Sequence, residues 1–272
     1  MNIEFFGPQN PFSALETEWE LQTDNSTDNW QTASSLKKDG DFLRGTQYGA
    51  QRSININFNG KKLTGNFTLT NLKVGAVAQL TVNGESGYYH IDSIGITYTQ
   101  NGVPTLDISA HAHLAGSGHG PVSGGGDGGC RTYTPSLTFP AMEMGVPTSL
   151  NLVGDTVKAF TLSQACGKSL RSIRYNMQVN HVDEPNNVGE HLAGDNYDAT
   201  ETLAIEFTGE FGNNDFTLND GATGSTDPAT LWLRDSKGVG RGNTAANQTT
   251  LNLTHHVAHD VGTTETTETT GT

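Results

Sequence analysis

The residues best suited to chemistry in this chain are its histidines. His111, His113 and His119 stand in "AHAHLAGSGHG", and His255, His256 and His259 stand in "HHVAH". Along an extended strand, side chains two residues apart point to one side, so His111 and His113 offer two imidazoles to one face, as metal ligands can. Overlaying the two segments at Leu106 and Leu251 aligns His111 with His256. A symmetric assembly could gather His111, His113 and His256 around an axis and hold a metal. No carboxylate or thiol recurs beside them in a repeated pattern, and solvated strand histidines are the simpler account, so neither a metal nor another cofactor is expected.

Other reactive types lead no further. Asp183 and Glu184 in "HVDEPNN", and Asp220 and Asp227 in "NDGATGSTD", have the composition of calcium loops without the EF-hand spacing or its closing Glu, and read as solvated turn acids. There is no G-x-S-x-G elbow, no H-E-x-x-H and no phosphate loop. "GKSLRS" from Gly167 leads into a strand and lacks the upstream glycine of a P-loop, and no strand–turn–helix surrounds "GSGHG" or "GGGDGG". An enzyme is not expected. Trp19, Trp30, Trp232 and the pair Tyr88-Tyr89 could build a sugar platform, but Trp19 and Trp232 fall in alternating strands, where packing into a core is the default. Cys130 and Cys166 are too few for a disulfide framework or a zinc site and read as thiols of a reducing cytosol.

The elements that would carry these residues are strands, and they come twice. "GDFLRGTQYGAQRSININFNG" from Gly40 aligns without a gap to "GEHLAGDNYDATETLAIEFTG" from Gly189, an offset of 149 residues. Tyr48, Ile56 and Phe58 recur as Tyr197, Ile205 and Phe207, and Ile54 is replaced conservatively by Leu203. The register persists in "NFTLTN" from Asn66 against "DFTLND" from Asp215, which points to a tandem duplication. Ile54, Ile56 and Phe58 alternate with polar residues, as do Leu203, Ile205 and Phe207, so each copy predicts a half-buried strand with these six residues in the core, and the matched Tyr48 and Tyr197 are counted with them as core of the repeat. Trp19 and Leu21 share one face of an earlier strand, and Ile173, Tyr175, Met177 and Val179 are its inward-facing counterparts. Asn83-Gly84 and Asn101-Gly102 predict hairpin turns. No helical period is evident, though "SSLKK" near Leu36 could form one turn.

The expected architecture is all-β: two tandem β-sandwich or half-barrel domains with a Gly-rich linker and an extra β arm. The first domain would span 1–115, the linker 116–135, the arm and second domain 136–260, and a Thr/Glu low-complexity tail 261–272. The arm contributes "SLTF", "SLNLV" and "KAFTL", a hairpin or an extra edge. Glycine supplies 33 of 272 residues and only 16% are charged, which suits a turn-rich β protein. The net charge of −14 disfavours nucleic-acid binding. The first residues, "MNIEFFGPQNPF", lack the basic and apolar regions of a secretory signal, and no apolar run is long enough for a membrane helix.

A Gly-acid start, a Tyr, an alternating strand and then "LTVNGESGYYHIDSIGITYTQNGVPTLDISAHAH" together resemble structural proteins of tailed-phage tails, the tail-tube and baseplate-hub superfamily. The resemblance covers Leu15 to His113 best and Ile173 to Ala258 more loosely. It implies a virion protein assembled in the host cytoplasm. Six tube domains would surround a channel, so a chain with two of them would fill the ring as a trimer of pseudo-sixfold symmetry. Rings would stack on one another and meet other tail or baseplate proteins. Genomic DNA would pass through the channel without specific binding, past an acidic wall. A baseplate-hub or neck protein, a capsid decoration protein and a tail-tip glycan-binding adhesin are the alternative readings.

Overall fold

The computed structural model describes residues 3–5, 19–39, 42–60, 67–68, 72–114, 131–135, 137–139, 145–146, 149–152, 158–162, 169–185, 191–208, 216–217, 233–241 and 247–257. The protein is all-β, with no helix among the described residues. "SSLKK" ends a strand and enters a turn instead.

The strands are β1 (Ile3–Phe5), β2 (Trp19–Leu36), β3 (Phe42–Gly60), β4 (Phe67–Thr68), β5 (Val77–Val82), β6 (Glu85–Thr99), β7 (Thr105–His113), β8 (Leu137–Phe139), β9 (Ser149–Leu152) and β10 (Lys158–Leu162), followed by β11 (Ser169–Pro185), β12 (His191–Thr208), β13 (Phe216–Thr217), β14 (Leu233–Arg241) and β15 (Asn247–Val257). Ten of them form one antiparallel sheet along the path β14-β15-β12-β11-β6-β7-β3-β2, with β5 and then β1 added beside the first half of β6. The path is open, ending on β2 and β14. The other five form a second sheet, β13-β10-β9-β8-β4. The arm strands β8, β9 and β10 therefore lie between β4 and β13, the two "FT" segments set 149 residues apart.

The order β2-β3-β7-β6 recurs as β11-β12-β15-β14. The pairings recur with it. Leu21 faces Phe58 as Leu170 faces Phe207, and Tyr48 faces Gln31 as Tyr197 faces Asn180. Breaks in register at Leu21/Thr23, Asn29/Gln31 and Ser35/Leu36 reappear at Leu170/Ser172, Gln178/Asn180 and Glu184/Pro185. A fourth, at Ile91/Ser93, reappears at Arg234/Ser236, within "DSIG" from Asp92 and "DSKG" from Asp235. A bulge reorients every side chain beyond it, so matched bulges keep matched residues on the same face.

The alternation in β3 and β12 faces the core as expected. Ile54, Ile56, Phe58, Leu203 and Ile205 are all buried; the side chains of Phe207 and Tyr48 lie outside the described residues. Two expectations fail. Tyr197 is 44% exposed, because its strand has passed the Gln178/Asn180 bulge and left the packed region. Leu21 is 39% exposed, since β2 ends the sheet path and the bulge that follows interrupts its alternation, whereas Trp19 is buried. The two units also differ from the separate domains expected. β6 pairs with β11, Tyr98 facing Ile173 and Ile94 facing Met177, and one hydrophobic cluster runs from Trp19 through Ile56, Ile94 and Ile173 to Leu251.

The hairpin turns form as predicted. Asn83 and Gly84 both take positive φ, 55° and 86°, between the paired ends Val82 and Glu85. The Asn101-Gly102 turn is wider, its last pair being Thr97 and Thr105. The end of the expected linker, 131–135, is packed: Tyr133 is buried and exchanges backbone hydrogen bonds with Val74 at 2.9 and 3.0 Å. Residues 116–130, with His119 and Cys130, lie outside the described residues, as do Cys166, Asp220, Asp227, Trp232, His259 and the tail 261–272. No helix among the described residues is long and apolar enough to cross a membrane.

Candidate functional site

One face of the sheet packs into the core; the other is polar. Over β2, β3, β7, β6 and β11 that polar face forms a trough of about 370 Å³, whose walls include Asn25, Asn55, Asn57, Ser109 and Asn176, with Asp107 as its carboxylate. Asn25 accepts from Asn55 at 3.2 Å, and Asp107 accepts from Asn57 at 2.6 Å.

On the same face the amides give way to histidines. His90 faces His111 across β6 and β7, and His113 follows two residues along. The Ile91/Ser93 bulge keeps His90 on the polar face while Ile91 and Tyr89 point into the core. His181 on β11 completes the group, its ring centroid 4.7 Å from that of His111 and 6.0 Å from that of His113. His90 stacks on His111 with centroids 5.3 Å apart and planes 22° from parallel. His90, His111 and His113 are buried and His181 is half-buried. One ring nitrogen from each of His111, His113 and His181 lies within 4.8 Å of the other two.

Neighbours fix the tautomers of two rings. His111 Nδ1 stands 2.6 Å from Asp92 Oδ1. The ionised carboxylate only accepts, so Nδ1 carries the proton and Nε2 the lone pair. That Nε2 is buried and makes no hydrogen bond. His181 Nδ1 stands 2.8 Å from Asn196 Oδ1. The Asn196 amide is oriented by its own Nδ2, which donates to the Gly75 and Arg131 carbonyls at 3.2 and 3.0 Å. Its oxygen must therefore accept from His181, again leaving the lone pair on Nε2. Gly75, at φ +82°, makes this possible: a Cβ there would meet the Arg131 oxygen at 2.5 Å and Asn196 Nδ2 at 2.7 Å.

The histidines picked out by sequence thus divide. His111 and His113 come together; His256 does not join them. It is largely exposed, with Nδ1 3.2 Å from Asp198 Oδ1. The overlay at Leu106 and Leu251 is two residues out. Ile108 faces Ile56 as Leu251 faces Ile205, so the counterpart of His111 is Thr254, and that of His113 is His256. His255 is buried on the core side, its Nδ1 2.7 Å from Glu201 Oε2, while Tyr175 donates to Glu201 Oε1 at 2.6 Å. The position matching Glu201 in the first unit is Arg52, which grips Asp28 with two bonds of 2.7 and 2.9 Å and reaches Glu85 at 2.6 Å.

His90 and Asp92 were legible in principle, since the Asn101-Gly102 turn sets β6 against β7. His181, Asn196 and Glu201 carry no local signal, because only the β6–β11 pairing and the sheet's twofold burial place them. The aromatic platform is not assembled among the described side chains: Trp19 and Tyr89 are buried and Tyr88 is half-buried. Comparison with protein-family models and with curated protein sequences finds no match.

Proposed function

We propose that the protein is a ring-forming virion structural protein of a tailed phage, each chain supplying two duplicated wedges, and that the rings stack into the tail tube around a DNA channel. The observation that carries this reading is the joint between the two units. Within the chain, β6 of the first unit pairs with β11 of the second. By the matched register, the equivalent of β6 is β14 and the equivalent of β11 is β2, the two ends of the sheet path. The internal joint is therefore repeatable between chains, β14 of one copy against β2 of the next.

Transferring the internal register to that joint puts Asp24 opposite Arg241 and Asp28 opposite Lys237, where the internal joint has Ile173 opposite Tyr98 and Met177 opposite Ile94. Strand β2 contains Glu20, Asp24 and Asp28 and no Lys or Arg; β14 contains Arg234, Lys237 and Arg241, with one acid, Asp235, at its bulge. Opposite charges set directly across strands favour pairing, while two β2 edges brought together would oppose like charges. This selects head-to-tail addition, which yields a ring when the rotation closes. Three chains would supply the six wedges of the tubes that the sequence resembles. An amide-rich polar face and a net charge of −14 suit a wall past which DNA slides.

The test is mass and symmetry at high protein concentration, by light scattering and class-averaged electron micrographs. A trimer with six lobes around a hole is expected. A monomer at every concentration, with no tendency to stack, overturns the ring reading and leaves decoration or glycan binding to be tested.

A further inference from the structure

We propose that His111, His113 and His181 bind a divalent first-row transition ion, zinc being the one their chemistry fits best, and that the ion locks the first unit to the second. Three imidazoles suit zinc, nickel or copper, whereas calcium and magnesium require oxygen ligands. Around a tetrahedral ion with bonds of about 2.1 Å, ligand nitrogens stand about 3.4 Å apart. Those of the three histidines lie within 4.8 Å of one another, a gap that small side-chain rotations close.

The surroundings match what a metal site needs outside its ligands. A ligating histidine donates its other ring N–H to a carboxylate or carbonyl oxygen, which fixes the tautomer and aims the lone pair. Asp92 does this for His111 and the Asn196 amide oxygen for His181. The His111 Nε2 so aimed is buried without a hydrogen bond, an atom whose burial an ion would compensate. His90, stacked on His111, forms a wall of the cluster, and water completes the coordination.

The ligands come from both units, His111 and His113 from β7 and His181 from β11, so the ion would clamp across the β6–β11 joint. The equivalents at the joint between chains are Thr254, His256 and Thr32, with Leu233 in the place of His90. That set offers a single imidazole, too few ligands for the ion. The lock belongs to the joint that never has to open.

Chelator-treated full-length protein is titrated with Co²⁺ followed by its visible absorption, then with Zn²⁺ in competition. Saturation at a single equivalent, with displacement of cobalt by zinc, is expected. His111→Ala/His113→Ala abolishes it, Asp92→Asn weakens binding about 10–100-fold, and His256→Ala changes nothing. Far-UV circular dichroism checks each fold, and if the double variant fails to fold, Asp92→Asn decides. No saturable cobalt binding by the unsubstituted protein, or binding by Asp92→Asn as tight as its own, overturns the proposal.

Discussion

Phe58 is buried on the core side of β3 opposite Leu106, so Phe58→Ala removes a packed ring and leaves a cavity. The expected loss is about 3–5 kcal/mol, read from the urea midpoint; an unchanged midpoint would place Phe58 outside the core. Glu201 accepts from two buried side chains, Tyr175 and His255, and Glu201→Ala removes that acceptor from both, at about 1–3 kcal/mol for each. Glu201→Gln retains one acceptor oxygen and should fall between, in the same urea measurement. Charge at Asp28 adds a pH dependence. Hydrogen bonding from Arg52 holds the Asp28 carboxyl below its usual range, against partial burial, which acts the other way. Because the folded pKa is the lower one, this contribution is present above the unfolded value of about 3.9 and lost as pH falls through the folded value. Asp28→Asn should flatten the acid limb of the stability curve, modestly, since the pair is partly solvated.

At the scale of the element, β2 and β14 end the eight-strand path of the larger sheet, each with an outer edge that no described strand covers. Long unpaired edges invite association, and inward-facing charges decide with what. On the proposed register, Asp24→Lys or Arg241→Asp alone puts like charges opposite and should weaken assembly, while the double exchange restores it. Analytical ultracentrifugation of the four proteins makes this cycle, and equal assembly by all four would exclude the register. Asp24 is the better probe because Asp28 also holds Arg52. The internal joint lacks such charges: Tyr98, Ile96 and Ile94 meet Ile173, Tyr175 and Met177, all buried. On the proposed assembly one kind of strand pairing would serve twice, dry inside the chain and charged between chains.

For the whole molecule, assembly through charged edges should weaken as salt rises, since the Debye length shrinks from about 10 Å at 0.1 M to about 3 Å at 1 M. The fold itself should respond much less, because its core is apolar and continuous across both units. At the alkaline end, burial pushes the Tyr98 hydroxyl up, and burial with the adjacent Glu201 pushes the Tyr175 hydroxyl up as well. Both rings favour the fold while neutral. Their contribution is complete below the unfolded value of about 10 and lost as pH rises through the folded values. Tyrosinate absorbance should therefore show these two ionising together with unfolding; earlier ionisation would mean that they are accessible to water.

By itself the sequence determined the strand class and the inward phase of Ile54, Ile56, Leu203 and Ile205, because period-two alternation and turn chemistry are local properties. Asn83-Gly84 placed its turn for the same reason. It also put His111 and His113 on one face. Only tertiary structure decided what joined them: His181 arrives from 68 positions beyond His113 because β11 pairs with β6, a contact that no local pattern encodes. The same holds for the misaligned His256. Phe67 and Ile94 lie 27 positions apart and their counterparts Phe216 and Lys237 only 21, so the offset between matched positions falls from 149 to 143, which only the cross-strand partners Ile56–Ile108 and Ile205–Leu251 reveal. Local chemistry chose the strands, and burial of one shared core chose their neighbours.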